Sequence, residues 1–135
     1  MTPAPAKSPA PTPPDWASFT IDEDSRYADG DQDAATLAEI SARELAGYLF
    51  TARLLEIARR EGRNPLVREA RAFTPKQLEE LDAGIREARR MAEWMLEECS
   101  CAFGCDGAGR IREYVEKSLE AEIEFTPEPR QQNLF

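Results

Sequence analysis

Apolar residues recur along two long stretches of the chain at the three- and four-residue steps that place side chains on one face of an α-helix. In the first stretch Leu37, Ile40, Leu45, Tyr48, Leu49, Ala52, Leu55 and Ala58 follow this spacing and predict a helix from about residue 34 to residue 61. Asp33 or Thr36 supplies its N-cap, Glu56 and Arg60 stand four apart as a favourable charge pair, and Gly62 followed by Asn64-Pro65 stops it. In the second stretch Leu78, Leu81, Ile85, Ala88, Ala92, Met95 and Cys99 step by three and four in strict alternation, a heptad seam suited to close packing against another helix. Its start is sharply marked. Thr74 is an N-cap, Pro75 takes the first helical position, Gln77 completes a capping box, and Phe73 and Leu78 stand where a hydrophobic staple needs them. Between the two helices, residues 66–72 predict a further helical turn or two.

The seam is followed by a stretch rich in Cys, Ser and Gly, residues 100–109, which predicts a break. Ile111, Val115 and Leu119, spaced by four, and the Glu113–Lys117 pair then predict a third, shorter helix over about residues 108–120. From Leu119 to Phe125 the pattern also fits a strand, but a lone strand has no partner here, so the stretch is read as helical. The expected fold is all-α: a small helical bundle of two long helices and one shorter helix, spanning residues 34–125. A disordered tail, residues 1–33, precedes it and an extended peptide, residues 126–135, follows it. An ordered body of about 90 residues has a marginal core. The seam of Leu78, Leu81, Ile85, Ala88, Ala92 and Met95 therefore reads either as intrachain core or as the face of a homodimer. Trp94, Met91 and Leu96 lie off the seam and add a second apolar surface.

Composition separates the N-terminal tail into two parts. Six of the ten prolines fall within the first fourteen residues, which predicts a disordered or polyproline-like arm. Residues 15–33 interleave Trp16, Phe19, Ile21 and Tyr27 with Asp22, Glu23, Asp24, Asp29, Asp31 and Asp33, a pattern able to dock through its aromatics onto the body or onto a partner. The spacing of Asp29, Asp31 and Asp33 hints at a calcium loop, but the sixth position lacks glycine and the twelfth is Ile40, so it reads as a linker. No run is long and apolar enough for a membrane span or a secretory signal. An odd number of cysteines argues against a disulfide framework. The expected location is the reducing cytoplasm.

The net charge of −9 is unevenly spread. Residues 53–90 carry ten basic and seven acidic groups, whereas the segments on either side are each acidic by six. An acidic chain is a poor non-specific binder of nucleic acid, so direct nucleic-acid binding is not expected. The central arginines read chiefly as a solvated helix face paired with nearby acids, with a local contact left open.

The chain has no histidine. Nucleophilic catalysis with an imidazole base is excluded within one chain, and so is a ferritin-like di-iron site, which needs Glu-x-x-His on two helices. No glycine-rich phosphate loop is present, and a non-enzymatic role is expected. Cys99, Cys101 and Cys105 form a Cys-x-Cys-x₃-Cys cluster open to three readings. They are core and loop residues; or they bind zinc or an iron–sulfur cluster with an outside ligand; or Cys101 and Cys105 form a reversible disulfide. Three thiols without histidine fall short of a closed zinc site, so no cofactor is the leading expectation.

The last five residues carry the most specific signal. Gln131-Gln132-Asn133-Leu134-Phe135 stand behind Thr126-Pro127-Glu128-Pro129-Arg130, whose two prolines oppose helix formation. A polar lead residue with two apolar anchors on an extended stalk is a docking ligand in form. The peptide resembles the bacterial sliding-clamp-binding motif. Gln131 matches the lead glutamine, Asn133 the small polar position, and Leu134 and Phe135 the apolar pair; Gln132 departs from the commonest residue, leucine. The resemblance implies a DNA sliding clamp as protein partner, with Gln131 hydrogen-bonded at the rim and Leu134 and Phe135 in an apolar cleft. It covers five residues, so it implies a partner and no fold. The chain then reads as an adaptor or regulator in DNA replication or repair. The alternatives are a thiol-based metal or redox protein, and a helical assembly component of a phage or larger complex.

Overall fold

The computed structural model describes residues 11–124. The first helix, α1, spans Ala34–Glu61. The Asp33 carboxylate caps it by accepting the Thr36 N–H at 2.7 Å, and Gly62, at φ 75°, closes it in the left-handed conformation, its N–H bonded to the Ala58 carbonyl at 2.8 Å. The second helix, α2, spans Pro75–Glu124. The reciprocal capping box forms at its start: Gln77 N–H donates to Thr74 Oγ1 at 3.2 Å, and Thr74 N–H donates to Gln77 Oε1 at 3.0 Å. No strand is present among the described residues; a single antiparallel bridge joins Arg63 to Ala72.

Two helices are therefore counted rather than three, because the second and third expected helices run on as one element with a kink at Gly104 between them. The expected ten-residue break over 100–109 is confined to one residue, Gly104, whose φ of 77° and ψ of 174° lie outside the helical region. The flanking residues stay helical because Cys99, Ala102, Ala108 and Ile111 all face the core, and burial outweighs the weak helix preference of Ser, Cys and Gly. Residues 66–72 are likewise not helical. Asn64 Oδ1 accepts the Leu66 N–H at 2.9 Å and Glu69 sits at φ 61°, so this segment is a chain of turns. Glu56 pairs with Arg89 of α2 rather than with Arg60.

The part of α2 before Gly104 forms an antiparallel hairpin with α1. Arg59 meets Asp82, Glu56 meets Arg89, and Ser41 hydrogen-bonds Cys99; positions fall along α1 as they rise along α2. Beyond Gly104 the chain returns beside α1, where Val115 and Ser118 face Ala42 and Ala46. The surface of α1 turned inward is built from Ala38, Ser41, Ala42, Leu45, Ala52, Leu55 and Ala58, and its small residues allow close approach. Leu37 and Ile40, expected on that face, are half-buried.

The segment preceding α1 is not a free tail from Pro11 onward. A 3₁₀ turn, Trp16–Ser18, sits against the helices, and Phe19 is 5% exposed. The main core gathers Phe19, Leu45, Met95, Cys99, Ile111, Val115 and Leu119. A smaller second cluster of Leu55, Ala58 and Leu81 lies at the other end of the hairpin. Among the described residues no helix is long and apolar enough to cross a membrane.

Candidate functional site

The chemistry-bearing residues meet around the interruption in α2. Non-helical geometry at Gly104 takes nearby carbonyls out of the regular i to i+4 pairing, and the Ala102 carbonyl accepts the Asp22 N–H at 2.7 Å. The segment before α1 is thus a strap, tied to α2 beside its kink. Aromatic packing anchors it. Phe19 meets Phe103 edge-on at 5.5 Å and Trp16 meets Tyr114 edge-on at 5.7 Å between ring centroids. The Arg110 guanidinium lies 4.3 Å from the Phe19 ring centroid and donates to Ser18 Oγ at 2.9 Å. Edge-on aromatic pairs and cation–π stacking add specificity to the area that Phe19 buries.

A polar latch completes the attachment. Glu98, 8% exposed, accepts hydrogen bonds from the Tyr27 hydroxyl and the Arg26 guanidinium. The Tyr27 hydroxyl, helped by Arg26, holds the Glu98 carboxyl below its ordinary range against the opposing effect of burial. Burial, reinforced by the bond to Glu98, raises the Tyr27 phenol. Such a buried carboxylate would be costly without these donors.

The three thiols are placed differently. Cys99 is 1% exposed, and burial pushes its thiol up to about 11, although a Ser41 hydrogen bond acts in the opposite direction. Cys101 and Cys105 are exposed, and all three are free. Cys99 belongs to the core, and no group of three or more His, Cys, Asp or Glu side chains placed to hold a metal occurs among the described residues. The metal reading therefore has no gathered donor set there.

The heptad seam faces α1 of the same chain: Leu81, Ala88, Ala92 and Met95 are buried, and Leu78 and Ile85 half-buried. Off the seam, Trp94 is 44% exposed. Gln131, Asn133, Leu134 and Phe135 lie outside the described residues, as do residues 1–10. The side-chain hydrogen bonds of Arg26 and Tyr27 to Glu98, and of Arg110 to Ser18, join residues 72, 71 and 92 positions apart, so no local pattern announces them. The one sequence signal was the alternation of aromatics and acids over 15–33. No protein-family model, curated protein or solved structure matches the chain.

Proposed function

We propose that this protein is a non-enzymatic adaptor or regulator that docks on a DNA sliding clamp through its C-terminal peptide, in DNA replication or repair. The observation that carries this reading is the sequence Gln131-Gln132-Asn133-Leu134-Phe135 behind a proline-bearing segment. The body supports it indirectly. Its most distinctive polar and thiol groups, Glu98 and Cys99, are engaged in holding the strap and the core, which leaves the peptide as the feature with the most specific chemistry. Leu134 and Phe135 provide the anchor area and Gln131 the orientation. So few buried atoms give an affinity of about micromolar for one peptide.

The test is binding of the intact protein, and of a version ending at Asn133, to a purified bacterial sliding clamp. Binding that disappears with Leu134 and Phe135, while the helical circular dichroism is unchanged, supports the reading. Binding that survives the truncation, or none by either form, overturns it. A thiol-redox role is the second reading, favoured by the free and exposed state of Cys101 and Cys105. It requires a reversible disulfide between them, formed as a disulfide oxidant is reduced to two thiols. Mass mapping that never joins the two under a glutathione redox buffer removes it.

A further inference from the structure

The loop between the helices, residues 62–74, is an arginine-bearing platform on an acidic protein. Its ends are closed: the Phe73 N–H donates to the Gly62 carbonyl at 2.8 Å, and Arg63 bridges to Ala72. Its root is anchored, because Phe73 packs on the cluster of Leu55, Ala58 and Leu81. From this frame Arg63, Arg68 and Arg71 are exposed, flanked by exposed Arg60 on α1 and Lys76 on α2.

Among the described residues three of the ten central basic residues are in ion pairs and seven are not; of those seven, Arg53 and Arg86 lie on the helices away from the loop, and five gather at it. Arg59, Arg89 and Arg90 neutralise Asp82, Glu56 and Glu87. Arg60, Arg63, Arg68, Arg71 and Lys76 enter no ion pair among the described residues. Within residues 60–78 they face two acids, Glu61 and Glu69, with Glu79 and Glu80 marking the edge of the patch along α2. The six acids of residues 22–33 lie beyond the opposite end of α1. That helix of 28 residues is about 42 Å long, several Debye lengths at physiological salt. Those six acids are therefore screened from the loop.

We propose that the 62–74 loop, with Arg60 and Lys76, is a phosphate-backbone contact surface for duplex DNA. Guanidinium forks match phosphate oxygens, and the closed loop holds them without the full ordering cost of a free segment. The contact is independent of base sequence, since phosphates position a protein without specifying a site. The choice of DNA among polyanions rests on the clamp reading, because a body docked on a clamp stands beside the duplex that the clamp rides.

The experiment is fluorescence anisotropy of the full-length protein with a labelled duplex of about 20 base pairs between about 25 and 200 mM salt, with no clamp present. The expected result is weak binding whose logarithm falls with the logarithm of salt at a slope of about −3, as for roughly three phosphates. Replacing Arg63→Glu, Arg68→Glu and Arg71→Glu together lowers affinity by about tenfold or more and flattens the slope. The helical signal and clamp binding stay unchanged. The gentler triple change to Gln gives a smaller loss of the same sign, and Arg43→Glu on α1 has little effect. Undetectable binding at the lowest salt, binding kept by the triple variants, or tighter binding of an acidic peptide than of the duplex at matched salt overturns the proposal. A failed clamp reading shows separately, as absent clamp binding by the intact protein.

Discussion

Gly107 and Gly109 stand two residues apart in the same helix and respond in opposite directions to a methyl group. A Cβ on Gly107 would lie 2.5 Å from the Phe103 Cβ and 3.7 Å from the Phe19 ring, whereas one on Gly109 meets nothing within 4 Å. Alanine is preferred over glycine inside a helix by about 1 kcal/mol, so Gly109→Ala is expected to stabilise by about 0.5–1 kcal/mol. At Gly107 the clash reverses the sign: overpacking costs about 1–3 kcal/mol, and Gly107→Ala is expected to lower the urea midpoint and loosen the Phe19 seat. Equilibrium urea unfolding of the two variants checks both. Cysteine reactivity is a second measurement at this scale. Burial and the raised thiol of Cys99 predict that a thiol reagent near pH 8 modifies Cys101 and Cys105 promptly and Cys99 only as the chain opens. Three equally fast thiols would place Cys99 outside the core.

At the scale of the element, what was legible depended on how local its causes are. The start of α2 is written in consecutive residues, Phe73 through Leu78, and its capping box forms as read. The span of α1 follows from Asp33 and Gly62 in the same way. The 100–109 stretch misled because its composition is loop-like, while its structure is decided by burial of Cys99, Ala102, Ala108 and Ile111 against distant partners. The strap was legible only as an ability to dock, since Glu98 lies far along the chain from Arg26 and Tyr27. Its latch gives the strap a pH dependence. The Glu98 carboxyl is held below its ordinary 4.5 in the fold, so its contribution is complete above about pH 4.5 and is lost as pH falls through the depressed value. Glu98→Gln removes that contribution. The stability gap between parent and Glu98→Gln, followed by urea midpoints, is expected to be widest near neutrality and to close as pH falls through the depressed value of Glu98. A gap that stays the same over that fall would mean that the ionised carboxylate does not hold the strap.

The whole molecule is a hairpin with unequal ends. At one end the strap, α1 and both halves of α2 converge on the large core of Phe19, Leu45, Met95, Ile111 and Leu119. At the other, among the described residues, α1 and the start of α2 share the smaller cluster of Leu55, Ala58 and Leu81, backed by Phe73, Leu78 and Ile85, with the basic loop at the tip. Local opening costs least where few apolar contacts are broken. The ion pairs spanning that end, Arg59–Asp82 and Arg89–Glu56, have largely exposed side chains, and such pairs add little. The capping box fixes where α2 begins but ties no second element to it. Amides of residues 55–61 and 78–85 are therefore expected to exchange about tenfold or more faster than those of 92–102 and 111–119, a difference of about 1.4 kcal/mol in opening free energy. Native-state hydrogen exchange read by mass spectrometry or NMR resolves the two sets. Equal protection along both helices would mean that the hairpin opens as one unit and that the small cluster is as firmly held as the large one. The expected gradient places the softest helical turns beside the loop proposed to meet DNA, and the most rigid core beneath the strap.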